Sequence, residues 1–358
     1  MALSSRDVAA DTVTIRLEAA TMKDAQELDP DELAAAAVAG DESAFATLFE
    51  RHRRELHVHC YRLLASFEEA EDMVQETFLR AWRKRETFDG GPMIRAWLYR
   101  IATNACMDLL RQRARRIPVL HSYAEIAWLE PYPDRLLDQL APGEDEPGAV
   151  VVARETIELA YLAALQLLPP QQRAVLVMRD VVGWSAAEAA AVLETTTAAV
   201  NSALQRARAT MARHSARDRQ PTGGDLSAEE RDLLQQYIAL HERPDLARMA
   251  ALVHHDIRVT MPPQPLCFDG WENLAPLLER AFGPRGFGDW HVLPTSANRM
   301  PAAACYVRPA GDTLFHAFKM DVLRFDEGRI AEITTFERHV FPRFGLPDTL
   351  PGPPPHSR

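Results

Sequence analysis

Apolar residues recur at helical spacing along two long stretches of the chain. Between residues 29 and 116 they return every three, four or seven positions, as at Phe45, Leu48 and Phe49, which is typical of amphipathic helices. The same spacing resumes over residues 151–216. The pattern therefore predicts two separate helical domains.

The pattern changes after the Pro221-Thr222-Gly223-Gly224 boundary. Helical spacing over residues 227–242 and 272–282 gives way to short alternating runs, which predict strands. These runs cover residues 303–308, 313–325 and 329–337. Helices followed by strands predict a compact α+β domain with an antiparallel sheet.

Residues 117–150 separate the two helical domains and contain five prolines, seven acidic residues and one arginine. We expect them to bury too little apolar surface to order themselves, so they form an acidic linker. The amphipathic stretch from Tyr123 to Leu129 is the part expected to dock. Residues 1–28 are expected to be a mobile acidic tail, and residues 346–358 a Pro-rich tail.

Composition narrows the class of protein. The 358 residues carry a net charge of −11, and no apolar run is long enough to suggest a membrane span. The N-terminus lacks a basic stretch followed by an apolar one, so we expect no secretory signal. The four cysteines are scattered without a C-x-x-C pair, which predicts neither disulfides nor a zinc site and favours the reducing cytoplasm. We expect no metal and no cofactor.

A first motif spans residues 70–82, Ala-Glu-Asp-Met-Val-Gln-Glu-Thr-Phe-Leu-Arg-Ala-Trp. On a helix its polar residues share one face, and helical patterning alone favours a solvated charged face. The residue order, however, resembles the polymerase-clamp helix of sigma-70 family sigma factors of the extracytoplasmic-function (ECF) group, departing conservatively at Met73 and Thr77. The resemblance implies binding of core RNA polymerase through Asp72, Gln75, Glu76, Leu79 and Trp82.

A second motif follows it, from Phe88 through the Gly90-Gly91-Pro92 break to the arginine cluster at residues 111–116. Opening a promoter requires a base to be unstacked and trapped by aromatic side chains, and basic residues neutralise phosphates. The segment resembles the −10 recognition loop and following helix of ECF sigma factors. Core packing remains the alternative for each aromatic ring. The implied −10 DNA contacts are Arg83, Lys84, Phe88, Trp97, Asn104, Arg111 and Arg115.

The third motif, residues 168–211, contains the elements of a helix-turn-helix. Gly183 permits the turn, Ser185 with Glu188 caps a short Ala-rich helix, and a longer helix ends in arginines. The block resembles the sigma domain that binds the −35 element, although Asn201 and Ala203 stand where Lys or Arg is frequent. The resemblance implies −35 DNA contacts by Thr196, Thr197, Asn201, Ser202, Gln205, Arg206 and Arg208.

The last block, residues 229–344, resembles a SnoaL-like cone-shaped α+β barrel, which a subset of ECF sigma factors carries after the second DNA-binding domain. Its polar residues include His254, His255, Asp256, Asp269, His291, His316, Asp321 and His339, but no spacing among them specifies a mechanism. We therefore expect no catalysis. A small-molecule or intramolecular ligand, with Trp271 and Trp290 at the rim of a pocket, is the favoured interpretation.

Together the motifs predict two all-α DNA-binding domains, the second a helix-turn-helix, and a C-terminal SnoaL-like α+β barrel. The barrel would modulate the sigma factor in cis, and the linker would thread the polymerase channel that later carries RNA. A SnoaL-like cyclase or isomerase, or a ligand-sensing barrel, fused to a helix-turn-helix regulator is the alternative. The sequence leaves open whether a separate anti-sigma protein exists. The expected domains are residues 1–28 (tail), 29–116 (sigma domain 2), 117–150 (linker), 151–220 (sigma domain 4), 225–345 (SnoaL-like domain) and 346–358 (tail).

Overall fold

The computed structural model describes residues 30–88, 94–114, 125–138, 157–215 and 227–352. Its chain divides into two compact units. One contains the residues up to 60 together with 68–109, and the other contains residues 61–67 together with those from 110 onwards. No helix in the described ranges is both long enough and apolar enough to cross a membrane.

Four helices supply the first unit, although the last turn of α2, the first residue of α3 and residues 110–114 of α4 belong to the second. An aromatic cluster forms its centre: Phe78 meets Phe45 and Phe49 edge to face at 5.2 and 4.9 Å, and Phe45 packs on Trp82 at 5.1 Å. The helical spacing predicted for this stretch is confirmed. The helices are α1 (Pro30–Val38), α2 (Glu42–Leu64), α3 (Phe67–Arg83) and α4 (Ile94–Ala114).

The second helical stretch forms a helix-turn-helix inside the second unit. Gly183 takes a φ of +80°, a conformation that suits glycine. The Ser185 side chain accepts the Glu188 N–H while the Glu188 carboxylate accepts the Ser185 N–H, so the predicted capping box is confirmed. The helices are α6 (Leu159–Gln166), α7 (Pro170–Leu176), α8 (Ala186–Val192) and α9 (Thr197–Ser215); a π-helical turn (Val177–Val181) follows α7.

The acidic segment between the helical domains is more ordered than the sequence predicts. Residues 125–138 pack against other parts of the second unit and contain a short helix, α5 (Asp134–Leu137). The expectation that this segment buries too little apolar surface to order itself is wrong for this part, because four spaced side chains are buried: Ile126, Leu129, Tyr132 and Leu137. Tyr123 and the acidic run Glu144-Asp145-Glu146 lie outside the described residues.

The C-terminal domain packs helices against one seven-stranded sheet in the order β2-β1-β6-β5-β4-β3, with β7 beside β5. The α+β prediction is confirmed, but β1 and β6 pair in parallel, so the sheet is mixed. The elements are α10 (Ala228–Glu242), α11 (Leu246–Leu252), β1 (Val253–Met261), β2 (Gln264–Asp269), α12 (Trp271–Phe282), β3 (Asp289–Ala297), β4 (Met300–Arg308), β5 (Leu314–Asp326), β6 (Arg329–Glu337) and β7 (Thr349–Pro351).

The core of this domain lies between its helices and one face of the sheet. Leu233 and Tyr237 of α10 pack with Ile257 of β1 and Cys305 of β4, and with other buried apolar residues. A 3-10 helix (Arg338–Phe344) follows β6.

Candidate functional site

The first predicted surface lies on the outer face of α3. Asp72 and Gln75 are exposed, and Leu79 exposes 46% of its surface, one of the largest values for a leucine in the described chain. The opposite face, with Val74 and Ala81, is buried in the first unit. An apolar side chain displayed between polar ones is typical of the centre of a protein interface.

The other two predicted polymerase residues are partly engaged within the first unit. Glu76 accepts a hydrogen bond from Arg80 Nε at 2.7 Å. Trp82 is half-buried, packing on Phe45 while the Arg85 guanidinium lies 4.4 Å from its ring. Trp82 therefore sits at the edge of the exposed face, and Asp72, Gln75 and Leu79 form its accessible part.

The predicted −10 residues divide into basic exposed positions and packed aromatic ones. Phe88 is 7% exposed, and its ring packs on Trp97 at 5.3 Å. In the structure this ring is therefore packed in the core, which was the alternative to a DNA contact. Asn104 is half-buried on α4. Arg83, Lys84 and Arg111 are exposed. Arg115 and the Gly90-Gly91-Pro92 loop lie outside the described residues.

The predicted −35 residues occupy the exposed side of α9 and the turn before it. Thr196 caps α9 by accepting the Ala199 N–H at 3.1 Å. Arg208 is exposed but pairs with Asp180 through two hydrogen bonds of 2.6 and 2.9 Å, which fixes the direction of its side chain. The remaining members are all exposed: Thr197, Asn201, Ser202, Gln205 and Arg206.

A junction that the sequence did not predict joins residues 125–138 to the C-terminal domain. The two-residue turn between β3 and β4, Asn298-Arg299, has positive φ at both positions, as a type I′ hairpin turn requires. Asn298 is fully buried. It exchanges hydrogen bonds with the backbone of Tyr132, and its amide donates to Tyr61 Oη at 2.8 Å and to the Ile157 carbonyl at 2.7 Å.

Ion pairs extend this junction, which we call the linker clamp and define as residues 125–138 with their partners in the β3–β4 turn and the 3-10 helix. Glu130 pairs with Arg343 at 3.0 Å and with His339 at 3.8 Å. Arg135 donates to the Arg343 carbonyl at 2.6 Å, and Arg299 pairs with Asp138. The acidic linker thus meets basic residues of the C-terminal domain, which favours docking.

Of the polar residues considered for acid–base chemistry, one lies in the interior of the C-terminal domain. Asp321 is fully buried and accepts hydrogen bonds from Tyr237 at 2.8 Å and Thr335 at 2.6 Å, with the Lys319 ammonium 2.6 Å away. His291 and His316 instead pair with Glu242 and Asp312 near the surface, and His339 belongs to the linker clamp. His254, His255 and Asp256 adjoin one another, with His255 and Asp256 exposed.

The charges of this interior cluster are balanced. Burial raises the pKa of Asp321, but Lys319, His241 and Thr335 together bring it below its ordinary value. Burial and the Lys319 charge lower the pKa of His241 to about 4, so this imidazole is neutral at pH 7. Ligand atoms of His241, Cys305 and Asp321 lie within 4.8 Å of one another, but the Lys319 ammonium already neutralises the carboxylate that a metal would need.

Comparisons with known proteins agree with the motifs. Two family models match: Sigma-70 region 2 over residues 48–116 and Sigma-70, region 4, over residues 158–211. The ECF RNA polymerase sigma factor SigG of Mycobacterium tuberculosis is 41% identical over 322 residues, covering 86% of this chain and 85% of SigG. SigM of the same species is 36% identical over 182 residues, covering 51% and 82%.

The C-terminal domain is included in the structural similarity. The crystal structure of the M. tuberculosis extracytoplasmic-function sigma factor SigJ aligns with a TM-score of 0.56 at 22% identity, covering 85% of this chain and 99% of that one. At this identity the likeness concerns the fold alone.

The buried imidazole predicts acid sensitivity of the C-terminal domain. Because His241 has a folded pKa of about 4 and an ordinary value of 6.5, the unfolded chain binds a proton between these values that the folded chain does not. The free energy of unfolding should therefore fall by up to about 3 kcal/mol as pH drops from 6.5 to 4. Amide hydrogen exchange of β4 and β5, corrected for intrinsic rates, measures this loss. A His241→Phe variant should lose clearly less stability, and parallel pH profiles for the two proteins would contradict the assignment.

Proposed function

The chain belongs to the ECF RNA polymerase sigma factors, and on that premise we propose that its C-terminal domain controls promoter-directed initiation by holding the linker. The 41% identity to SigG over most of both chains carries the family membership. As a sigma factor, the protein binds core RNA polymerase and directs it to promoter DNA.

The polymerase contact is assigned to the exposed face of α3. Leu79, with nearly half its surface exposed between Asp72 and Gln75, is the observation that carries this assignment, because it is an accessible apolar group that a partner would bury. Glu76 and Trp82 flank it and would complete the contact. The acidic character of the face suits a basic partner surface.

Promoter contacts are assigned to basic and amide side chains on two helical surfaces. Arg83, Lys84 and Arg111 are exposed and would contact phosphates near the −10 element, and Trp97 and Asn104 belong to the same assignment. Phe88 packs on Trp97 and would reach DNA only if that packing opened. On α9 the exposed side presents an amide, Asn201, suited to reading an adenine edge. Arg115, outside the described residues, completes the −10 assignment, and Thr196, Thr197, Ser202, Gln205, Arg206 and Arg208 complete the −35 assignment.

Modulation in cis is assigned to the linker clamp. The resemblance to ECF sigma factors implies that the linker enters the polymerase channel in the working complex. In the structure, residues 125–138 instead bury Tyr132 against Asn298 and pair Glu130 with Arg343. The same segment cannot occupy both places. We therefore infer that the clamp competes with polymerase binding and lowers activity until the segment is released.

A catalytic role for the C-terminal domain is not favoured. A general base must be accessible and must have a pKa near the working pH. Asp321 meets neither condition, because it is fully buried, is held by three donors and has a lowered pKa. We therefore propose that the domain acts by binding alone, and the alternative of a cyclase or isomerase fused to a helix-turn-helix gains no support from this cluster.

The polymerase surface is tested by Gln75→Ala combined with Leu79→Ala. Removing the exposed leucine and its polar neighbour should weaken binding of the full chain to core polymerase at least tenfold, measured by fluorescence anisotropy. The matched control is Gln264→Ala with Leu266→Ala, an equally exposed pair on β2. Equal affinities of the two double variants would contradict the assignment.

The clamp is tested by Asn298→Gly. Glycine keeps the positive φ of the turn but deletes the buried amide, so docking of the linker should weaken by about 1–3 kcal/mol without loss of the hairpin. Polymerase affinity and transcription from a cognate promoter should rise several-fold. Glu327→Gly, at the positive-φ turn between β5 and β6, is the matched control and should change neither. Unchanged activity in Asn298→Gly, with the domain still folded, would show that the clamp does not restrain the sigma factor.

A further inference from the structure

The C-terminal domain contains a cleft large enough for a small organic molecule. Its volume is about 690 Å³, within the range of ordinary ligand pockets. A second cavity of about 50 Å³ adjoins it. Lys319 and Thr335 line both spaces, so the polar cluster of the interior stands at the boundary between them.

A β-bulge in β5 shapes this cleft. Cys305 pairs with Lys319 and Tyr306 pairs with Ala317, which leaves Phe318 as an extra residue without a partner on β4. In a regular strand consecutive side chains point to opposite faces, but here four consecutive residues, 316–319, line one cleft. The bulge therefore brings an aromatic ring and an ammonium group to the same opening.

The walls are aromatic, and Lys319 presents N–H donors where the cleft adjoins the second cavity. Phe318 packs on Phe287 at 5.0 Å and on Trp290 at 5.5 Å, and Phe287 and Phe318 expose 43% and 38% of their surfaces. Lys319 keeps a fifth of its side chain exposed and has Asp321 as its one hydrogen-bonding partner in the described chain, which leaves further N–H donors for a ligand.

These features select the chemistry of the ligand. The charged residues that line the cleft carry both signs, Lys319 and Arg338 against Glu337, and Lys319 is already paired with Asp321, so a charged ligand of either sign would meet a like charge. We propose that the cleft binds a neutral, mostly apolar ring compound with a carbonyl or similar acceptor oxygen directed at Lys319. We propose also that its binding stabilises the linker clamp. The second part rests on the function proposed for the clamp.

One segment of the chain connects the two sites. Glu337 and Arg338 line the cleft, and the next residue, His339, pairs with Glu130 of the linker, as does Arg343 in the same 3-10 helix. The open cleft and the docked linker occur together in this structure. A ligand that binds the open cleft therefore favours the conformation in which the linker is docked. By linkage, docking of the linker raises the affinity of the cleft for the ligand.

Prodan, a neutral naphthalene ketone whose fluorescence depends on its surroundings, is a suitable probe for the full chain. We expect saturable one-to-one binding with a blue shift, and at least tenfold weaker binding of 2-(dimethylamino)naphthalene, which lacks the ketone. Phe318→Ala should weaken prodan binding at least fivefold. Leu314→Ala, on the same strand with 39% exposure but outside the cleft, should leave affinity within twofold.

The coupling is measured in the same protein. Saturating prodan should slow amide hydrogen exchange over residues 125–138, and Glu130→Gln should weaken prodan binding about fivefold. Absence of saturable binding, equal binding by Phe318→Ala, or equal binding of the probe without the ketone overturns the ligand site. Binding with unchanged exchange over residues 125–138 overturns the coupling. Neither failure alters the Asn298→Gly transcription result, which uses no probe and tests the clamp alone.

Discussion

One buried side-chain amide, that of Asn298, joins four parts of the chain. It accepts a hydrogen bond from the Tyr132 N–H and donates to the hydroxyl of Tyr61 at the end of α2 and to the carbonyl of Ile157 before α6. The Asn298 backbone N–H donates in turn to the Tyr132 carbonyl. Because each of these groups is buried, losing the amide would leave unsatisfied donors and acceptors, which costs more than the bonds contribute. The arrangement of residues 125–138 on the C-terminal domain therefore depends on a hairpin turn that only a few residue types can form.

This dependence explains how the C-terminal domain could regulate transcription by binding alone, as we propose. In the proposed mechanism the linker segment has two mutually exclusive positions, docked on the C-terminal domain or extended in the polymerase, and whichever partner binds it more tightly determines the active fraction. Opposite charges at Glu130 and Arg343 and the burial of Tyr132 favour docking. The aromatic cleft beside the 3-10 helix then gives a small molecule access to the same equilibrium.

Local chemistry made much of this architecture predictable. The capping box at Ser185, the turn at Gly183 and the amphipathic face around Gln75 all depend on residues within one or two helical turns of each other. Docking of residues 125–138 depends instead on a residue 166 positions away from Tyr132, a contact that periodicity cannot reveal. Likewise, the burial of Phe88 against Trp97 and the bulge at Phe318 follow from tertiary packing. The sequence pattern therefore left open whether Phe88 packs in the core or contacts DNA, and it did not predict the bulge.

Amide hydrogen exchange over residues 125–138, compared between the free protein and its complex with core RNA polymerase, measures whether the polymerase displaces the linker from the C-terminal domain. We expect strong protection of Tyr132 and its neighbours in the free chain. Within the complex, we expect the amides of Asn298 and Arg299 on the β3–β4 turn to exchange faster as the linker leaves them. Protection of that turn unchanged by polymerase would mean that the linker stays docked during initiation, and competition could not be how the C-terminal domain acts.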